Sequence, residues 1–303
     1  MIEQENLLPT FLRERLAQQY DEPTRARIFA GYAAVRRVSL RANTLRSSAA
    51  DIAAALARAN IAVHGVPFYS DAFVLNDARE DAVRALPEYA QGKLYLQNLS
   101  SMLPPLLLAP QAGTDILDMA AAPGGKTTQL AALTGGKAHI TACERHANRA
   151  ARLKFNLAAQ GAGNVAVMVQ DARQIDDFFA FDQVLLDAPC TGSGTIHFGD
   201  DLRSCTAQLL QKCTAQQQGL LQKALRLVKP GHELLYSTCS ILRAENEDQI
   251  AGVLRSGKAE LVPIEPAALP GVPQLPAAIP GTLCVCPTEE YEGFFAAKLR
   301  RIK

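Results

Sequence analysis

Two cysteines in similar settings are the residues of this chain best placed to do chemistry. Cys190 lies in VLLDAPCTGSG (184–194) and Cys239 lies in ELLYSTCSI (233–241), each just after an apolar run typical of a buried strand. Open α/β sheets bind ligands at the carboxyl ends of their strands. Two thiols delivered there, with Asp187 three residues before Cys190, indicate thiol chemistry rather than packing.

A third apolar run, TDILDMA (114–120), leads into the glycine turn AAPGGKT (121–127) and then into a helical pattern. A glycine turn that enters a helix is a usual place to hold the polar or anionic end of a cofactor. This turn is neither a GxGxxG fingerprint nor a phosphate-binding P-loop, because Ala120 stands where the P-loop needs a glycine. It predicts a nucleotide-like ligand, with a plain strand-to-helix turn as the alternative.

Acids recur after three successive strand patterns: Glu144, Asp171 and Asp187. A carboxylate after the second strand suits ribose hydroxyls, and one after the third can accept from an adenine amino group. Any one of them alone is often only a helix cap. An acidic crevice also favours a positively charged cofactor, which points to S-adenosylmethionine over a phosphate-rich nucleotide.

Composition narrows the class of protein. The 303 residues carry a formal net charge of only +1, so the strongly basic balance of many nucleic-acid binders is absent. Arginines are nevertheless concentrated in residues 1–60, and the tail 298–303 is basic. The seven cysteines form no CxxC pair, so neither a metal site nor a disulfide framework is expected. With no signal peptide and no apolar run long enough for a bilayer, a cytoplasmic location is expected, with a monomer as the default.

The elements that must position these residues alternate from residue 113 onward. Strand and helix patterns taking turns predict a mostly parallel, doubly wound α/β sheet of Rossmann-like type, with a helix over 206–231 and a closing strand over 293–301. The stretch 257–290 lacks periodicity and predicts a long packed loop. Upstream, helices are predicted within 7–32.

A β-α-β-β pattern between residues 39 and 76 predicts a small α+β domain, with a helix over 47–60 that begins at a serine N-cap. The chain is therefore predicted to divide into an N-terminal part, 1–105, and an α/β part, 106–303. The first part would contain the N-terminal helices together with the small α+β domain.

Residues of about 36–300 resemble the family of S-adenosylmethionine-dependent RNA cytosine-5 methyltransferases, the NOL1/NOP2/Sun family. The resemblance rests on AAPGGKT, DAPCTGSGT and YSTCSILRAENE, in that order and spacing, together with RANT (41–44) and the closing GFFAAKLRR. It implies a class I methyltransferase fold after a small RNA-recognition-like domain. It also implies S-adenosylmethionine as the donor and RNA, ribosomal or transfer, as the acceptor.

Two departures from the family pattern are visible. Ala120 stands where the family often has a cysteine, which is not a catalytic position. The segment 196–205 differs from a basic, tryptophan-containing stretch common in the family. The second departure bears on the identity of the substrate more than on the chemistry.

The resemblance also implies roles for individual residues. Cys239 would be the nucleophile that adds to carbon 6 of cytosine, and Cys190 would assist release of the methylated product. Asp187 would hydrogen-bond the polar edge of the base, and Lys126 would lower the pKa of a nearby thiol or position the base. Contacts to the donor are implied for Ala120, Ala121, Ala122, Pro123, Gly124, Gly125, Lys126, Glu144, Arg149, Asp171 and Asp187.

Substrate contacts are implied for Arg41 and Asn43, because the matching segment of the family faces the catalytic cleft. Arginines of the N-terminal part and the basic tail would hold the RNA backbone through salt-dependent phosphate contacts. The target base must leave its stack to reach Cys239. The sequence does not identify the base that removes the carbon-5 proton.

Two alternatives remain open. One is a methyltransferase with another nucleic-acid acceptor: DNA cytosine enzymes also use a Pro-Cys nucleophile, although the second thiol in TCS argues against DNA. The other is a non-catalytic RNA-binding paralogue with vestigial residues. The presence of Cys190, Cys239, Asp187 and Lys126 argues against that second alternative.

Overall fold

The computed structural model describes residues 7–202 and 205–303, which build two β-sheets and their helices. Residues 203 and 204, in the segment that departs from the family pattern, lie outside the described residues. The smaller sheet precedes the larger one in the chain. Helices α1 (Thr10–Gln19) and α2 (Glu22–Ala33) come before both sheets.

The smaller sheet is antiparallel, with the strand order β2-β3-β1-β4. Its elements are β1 (Ser39–Ala42), α3 (Ala49–Arg58), β2 (Val63–Val66), β3 (Tyr69–Leu75), α4 (Glu80–Arg84), α5 (Pro87–Ala90) and β4 (Leu94–Leu96). The predicted β-α-β-β unit is present. The sequence analysis missed α4, α5 and β4 because elements of three to five residues are too short to show a period.

Helix α3 begins as its sequence predicts. The hydroxyl of Ser48 accepts from the Asp51 N–H, and the Asp51 carboxylate accepts from the Ser48 N–H, which makes a reciprocal capping box. Ile52 and Leu56, four residues apart, are fully buried against the smaller sheet. The cap and the apolar face therefore specify the same helix.

The larger sheet has eight strands within the described residues, with the order β10-β12-β9-β8-β5-β6-β7 and β11 paired to β12. The strands are β5 (Asp115–Asp118), β6 (His139–Cys143), β7 (Val165–Met168), β8 (Phe181–Asp187), β9 (Val228–Thr238), β10 (Ala259–Val262), β11 (Leu283–Val285) and β12 (Phe294–Arg301). Strands β5 to β9 run parallel, and β12 is antiparallel to β9. The mostly parallel α/β prediction is confirmed.

Five helices accompany this sheet: α6 (Leu99–Leu108), α7 (Gly125–Leu133), α8 (Ala147–Gln160), α9 (Ala207–Leu227) and α10 (Glu247–Arg255), as the described residues show them. Gly161, with φ +73°, ends α8 in the left-handed conformation that its sequence predicts. Helix α6 packs on α7 and on strands β8, β9 and β12, although it contains two prolines. The predicted division at residue 105 falls inside α6 and stays a prediction.

Two sequence-based boundaries were wrong. The helix predicted over 206–231 ends at Leu227, and residues 228–231 already belong to β9, so the Lys-Pro-Gly sequence lies in a strand. The loop predicted over 257–290 contains β10 and β11, which pair with β12. These short strands exist because a distant strand supplies their hydrogen bonds, a fact that no local period reports.

The N-terminal helices pack into the core of the larger sheet. Leu12, Leu16 and Ile28 are fully buried in the same apolar cluster as Leu117 of β5 and Val184 of β8. The predicted division groups these helices with the smaller sheet, and that grouping stays a prediction. Their apolar side chains share a core with the strands that carry the candidate site.

Over residues 7–202 and 205–303, no helix combines the length and apolar character that crossing a membrane requires. In the same part of the chain, no cluster of three or more histidine, cysteine, aspartate or glutamate side chains could bind a metal ion.

Candidate active site

The parallel strands bring most of the predicted site residues to one edge of the sheet. Asp118 ends β5 and Asp187 ends β8, while Cys239 directly follows β9. Parallel strands with neighbouring carboxyl ends place such residues side by side. The sheet order β9-β8-β5-β6-β7 therefore sets the thiol loops next to the glycine turn, with Glu144 and Asp171 further along the same edge.

The glycine turn between β5 and α7 requires its glycines. Gly124 has φ +109°, and a Cβ there would lie 2.9 Å from a methyl group of Leu153. A Cβ on Gly125 would lie 3.1 Å from the ring of Tyr95. Helix α8 holds the turn from outside, because Arg149 donates to the carbonyl of Ala122 at 2.8 Å. The turn is consequently a fixed backbone surface that a ligand can approach closely.

A cavity of about 260 Å³ opens on this turn. Its walls include residues of the glycine turn, the polar segment that joins β4 to α6, and two carboxylates from the larger sheet. The lining residues are Tyr95, Leu96, Gln97, Asn98, Ser101, Asp118, Ala120, Ala121, Ala122, Pro123, Gly125, Lys126, Asp187 and Glu292. Seven of the predicted donor-binding residues are among them, which are Ala120, Ala121, Ala122, Pro123, Gly125, Lys126 and Asp187.

The other predicted donor contacts lie around this cavity without lining it. Glu144 is buried, accepts from the His146 N–H at 2.8 Å and pairs with Arg149 at 3.3 Å. Asp171 caps a short 3₁₀ turn and pairs with Arg173 at 2.5 Å, which lowers the pKa of Asp171 below its usual value. The carboxylate of Asp171 is thus already engaged by a guanidinium of its own segment.

Lys126 occupies the middle of the site. Its ammonium group lies 2.7 Å from a carboxylate oxygen of Asp187, donates to the hydroxyl of Ser101 at 2.8 Å and stands 5.7 Å from the ring centre of Phe294. Burial lowers the pKa of Lys126, but the charge of Asp187 and its hydrogen bond, together with smaller effects of Cys239 and Asp118, outweigh burial and raise the net pKa. A permanently charged ammonium therefore sits beside Asp187, whose second oxygen accepts from Ser237 at 2.8 Å.

The two thiols are in contact. The Sγ atoms of Cys190 and Cys239 lie 3.2 Å apart, and both side chains are half-buried rather than sealed in the core. The hydrogen bond with Cys239, followed by burial, raises the pKa of Cys190 well above its ordinary value. Cys190 is therefore held as a thiol, which can donate its proton toward the sulfur of Cys239.

Glu245 ties the Cys190 loop in place, and the sequence analysis assigned it no role. Its buried carboxylate accepts from the N–H of Thr191 at 2.8 Å and from the Thr191 hydroxyl at 2.6 Å. Burial raises the pKa of Glu245, although the hydrogen bonds from Thr191 oppose that shift. Glu245 belongs to the ENE sequence (245–247) of the third motif, but only the fold shows that its carboxylate contacts the loop after Cys190.

The loop after Cys190 also contacts the start of β12. A Cβ on Gly194 would lie 1.9 Å from the carbonyl oxygen of Gly293, so the two backbones touch. The N–H of Gly293 donates to the carbonyl of Gly194, and the N–H of Gly194 donates to the carbonyl of Cys239. The glycine before FF in the closing motif therefore packs directly on the thiol loops.

The structure buries the side chains of Arg41 and Asn43, for which substrate contacts are predicted. Arg41 donates to the carbonyl of Gly125 at 3.0 Å, to Thr128 at 2.8 Å and to Gln97 at 2.8 Å, while its second terminal nitrogen has no hydrogen-bond partner among the described residues. Asn43 donates to two backbone carbonyls, one of which is that of Gln160 at the end of α8. Both side chains join the smaller sheet to the larger unit, and their contact with a substrate stays a prediction.

Replacing Arg41 should weaken donor binding. Arg41→Met keeps the length of the side chain but removes the guanidinium donor to the Thr128 hydroxyl and to the Gln97 side chain, and one of the donors to the Gly125 carbonyl, at a cost of about 1–3 kcal/mol for each buried group left unsatisfied. Since Gly125 lines the cavity, we expect the Kd for S-adenosylmethionine, measured by calorimetry, to rise by at least about tenfold.

Asn43→Ala provides the matched control for that measurement. It removes a buried link between the same two units but leaves the glycine turn untouched, so it should lower the free energy of unfolding with little change in the donor Kd. Equal donor affinities for Arg41→Met and the unmodified protein would contradict the expected coupling.

Asp118 should give the fold a measurable pH dependence. Burial raises the pKa of Asp118 to about 6, against a hydrogen bond from Thr127 that lowers it. The folded chain therefore holds this proton more tightly than the unfolded chain. The stabilisation is present below the unfolded pKa near 4 and is lost as the pH rises through about 6.

Urea unfolding of the unmodified protein and of Asp118→Asn, at pH 4 and pH 7, isolates this contribution. The variant stays neutral at both pH values. Between pH 4 and pH 7, the unmodified protein should lose about 2 kcal/mol of unfolding free energy relative to the variant. A difference between the two proteins that does not change with pH would show that Asp118 does not titrate in this range.

The fold and the site together define a class. A parallel sheet, a glycine turn after its first strand and acids at the ends of the following strands are the features of a Rossmann-like, class I methyltransferase. The two touching thiols of Cys190 and Cys239 lie beside the Lys126–Asp187 ion pair in that fold.

Comparison with known proteins identifies the family. A family profile described as 16S rRNA methyltransferase RsmB/F matches residues 105–300, and a profile described as the ferredoxin-like domain of RsmF/B-like methyltransferases matches residues 8–80. The chain therefore belongs to the RsmB/F family of 16S rRNA methyltransferases, a branch of the predicted NOL1/NOP2/Sun family. The predicted donor, S-adenosylmethionine, is the donor of that family, and the predicted fold class is confirmed.

Curated relatives and solved structures agree with this assignment. Ribosomal RNA small subunit methyltransferase F of Shewanella loihica is 35% identical over 277 residues, which cover 88% of this chain and 57% of that protein. A methyltransferase homologue from Pyrococcus horikoshii is 31% identical with a TM-score of 0.80, covering 97% of this chain and all of that one. NSun6 from Pyrococcus horikoshii, at 21% identity and a TM-score of 0.85, shares the fold. The chain thus spans little more than half the length of the curated relatives it matches.

Proposed function

We propose that this chain transfers a methyl group from S-adenosylmethionine to carbon 5 of a cytosine in RNA, through a covalent bond between Cys239 and carbon 6 of that cytosine. The observation that carries the proposal is the 3.2 Å contact between the sulfur atoms of Cys190 and Cys239 beside the Lys126–Asp187 ion pair. A single buried cysteine is ordinary packing, whereas two touching thiols next to a charged pair need a chemical reason.

The residues around the cavity fit the donor. Small side chains at 120–122 and the glycines at 124 and 125 let a ligand approach the backbone. The carboxylates of Asp118 and Asp187 line the same cavity and favour a positively charged ligand. Bound there, S-adenosylmethionine supplies a methyl group on a cationic sulfur.

The surroundings of Cys190 support a division of roles between the two thiols. The hydrogen bond with Cys239 and burial raise the pKa of Cys190 well above its ordinary value, which favours Cys190 as the thiol that keeps its proton. The attack on the base is assigned to Cys239, as the family resemblance implies. The Cys239 thiolate adds to carbon 6, and the electron pair of the carbon 5–carbon 6 double bond moves onto carbon 5 and the ring. Asp187 and Lys126 bind the polar edge of the base and stabilise the altered charge of the ring.

The covalent adduct is then methylated and breaks down to the modified base and free Cys239. Carbon 5 bonds to the methyl group through its new electron pair, the electrons of the broken methyl–sulfur bond stay on the donor's sulfur, which leaves as a neutral thioether, and a base removes the carbon-5 proton. The electrons of that C–H bond restore the double bond, and the bond from carbon 6 to the sulfur of Cys239 breaks to release the thiolate. Cys190, in contact with that sulfur, assists the release.

Small-subunit ribosomal RNA is the acceptor that the family and the named relatives favour. Exposed arginines on the N-terminal part of the chain would hold the phosphate backbone, so binding should weaken as salt rises. The target cytosine must be unstacked to reach the half-buried Cys239.

The test uses the full chain, a methyl donor with a labelled methyl group, and four acceptors: 16S rRNA, small-subunit particles, transfer RNA and DNA of matching sequence. We expect label in 16S rRNA or in the particles, recovered as 5-methylcytidine after digestion to nucleosides. Label only in transfer RNA or DNA would overturn the proposed acceptor. Donor binding without transfer to any of the four would overturn the proposed activity.

A further inference from the structure

Two buried tyrosines reach the thiol loops from the N-terminal helices. Tyr20 follows α1 and is 6% exposed, and its hydroxyl donates to the carbonyl of Ile241 at 2.9 Å. Tyr32 lies in the last turn of α2 and is fully buried, and its hydroxyl donates to the carbonyl of Ser193 at 2.5 Å. The sequence motifs assigned no function to either tyrosine.

The two acceptors are part of the catalytic loops. Ile241 is two residues after Cys239, and Ser193 is three residues after Cys190. The N–H of Ile241 donates to the hydroxyl of Ser193 at 3.1 Å, which joins the two loops. One continuous hydrogen-bonded path therefore runs from Tyr32 through both loops to Tyr20.

Further hydrogen bonds join the N-terminal helices to these loops. The side-chain amide of Gln19 donates to the carbonyl of Ile241 at 2.6 Å and accepts from the N–H of Arg243 at 2.8 Å. The N–H of Phe198, further along the Cys190 loop, donates to the carbonyl of Tyr32 at 2.9 Å. Burial raises the pKa of both tyrosines far above the ordinary value, so both hydroxyls remain donors at any working pH.

We propose that Tyr20 and Tyr32 are positioning residues that hold the two sulfur atoms in register, Tyr20 through the Cys239 loop and Tyr32 through the Cys190 loop. This inference rests on the proposed function, because each tyrosine is expected to support the reaction step of the cysteine whose loop it contacts. Tyr20 then supports formation of the adduct. Tyr32 supports its resolution.

The expected effects are large because bond formation is sensitive to position. A displacement of about 1 Å of a reacting group can cost about a hundredfold in rate. Removing the Tyr32 hydroxyl takes its donor from the Ser193 carbonyl, and removing the Tyr20 hydroxyl leaves the Ile241 carbonyl with the Gln19 amide and one donor fewer, so each loop is held less firmly. Neither tyrosine lines the cavity at the glycine turn, so donor binding should be spared.

The experiment compares Tyr20→Phe, Tyr32→Phe and the control Tyr89→Phe, whose hydroxyl is bonded to Arg84 in the smaller sheet's unit. Three readouts are taken on the full chain: donor Kd, the rate of covalent capture on 16S rRNA transcribed with 5-fluorocytidine, and the amount of covalent complex on ordinary 16S rRNA. Thermal unfolding confirms that all three variants fold.

Tyr20→Phe should slow capture by about tenfold or more, and Tyr32→Phe should capture normally but accumulate about fivefold more complex on ordinary RNA. Donor Kd should stay within about twofold for both. A capture rate for Tyr20→Phe, or an amount of complex for Tyr32→Phe, that matches the value for Tyr89→Phe would overturn the inference, as would a donor affinity that falls in parallel with these effects. The Cys239→Ala variant, measured in the same way, distinguishes failure of this inference from failure of the proposed function. If Cys239→Ala still captures RNA, the proposed function itself is wrong.

Discussion

Cys239→Ala should lose methyl transfer by at least about four orders of magnitude and should form no covalent complex with RNA, since the nucleophile is gone. The remaining groups, Lys126 and Asp187, can bind the base but cannot make carbon 5 nucleophilic. Donor affinity should be unchanged, because Cys239 does not line the cavity at the glycine turn.

Two measurements check this result: incorporation of labelled methyl groups into 16S rRNA, and capture on RNA that contains 5-fluorocytidine, resolved on a denaturing gel. Cys286→Ala is the matched control, because it removes another buried thiol that lies outside the site. It should keep both activities. Appreciable methyl transfer by Cys239→Ala would show that another residue attacks the base.

Cys190→Ala, unlike Cys239→Ala, should still form the covalent complex with RNA. The attacking sulfur is still present, so the variant should bond to RNA, but the thiol that lies 3.2 Å from the leaving sulfur is missing. We expect turnover to fall by about two to four orders of magnitude, the range typical of losing one proton-transfer group, while a protein–RNA complex accumulates.

That complex should form on ordinary RNA, survive denaturation and migrate as one protein bound to one RNA. The double variant Cys190→Ala/Cys239→Ala is the control and should show no complex. Normal turnover by Cys190→Ala would mean that the two-thiol assignment is wrong, even if Cys239 were confirmed as the nucleophile.

The chemistry-bearing segments could be identified from sequence because each is local. Each segment is a buried apolar run followed directly by Cys190, by Cys239 or by a glycine turn. Such a run predicts a strand, and the residues that follow it lie at the carboxyl end of that strand. Once the sheet is parallel, the carboxyl ends of neighbouring strands must meet. The placing of Asp187, Lys126 and the thiols at one edge therefore required no knowledge of distant contacts.

Sequence reasoning does not reach side chains that act on a remote part of the chain. Arg41 is buried and donates to the carbonyl of Gly125, 84 residues away, a contact that its neighbours in the sequence do not indicate. Glu245, although it lies in a recognised motif, and Tyr32 were given no role because no local pattern indicates their partners. Their acceptors belong to loops that only the folded chain brings near, as the hydrogen bond from Tyr32 to Ser193 illustrates.

The amino-acid sequence by itself determined the class of fold, the family and the two thiols, because strand period, turn residues and short motifs are all local properties of the chain. Only the tertiary structure decided that the sulfur atoms of Cys190 and Cys239 touch, and that helices α1 and α2 pack against their loops. The two sulfur atoms meet across 49 residues of chain, and the two tyrosine hydroxyls reach acceptors 161 and 221 residues away. At such separations, packing and not the neighbours in the sequence sets the hydrogen-bond partners and the burial.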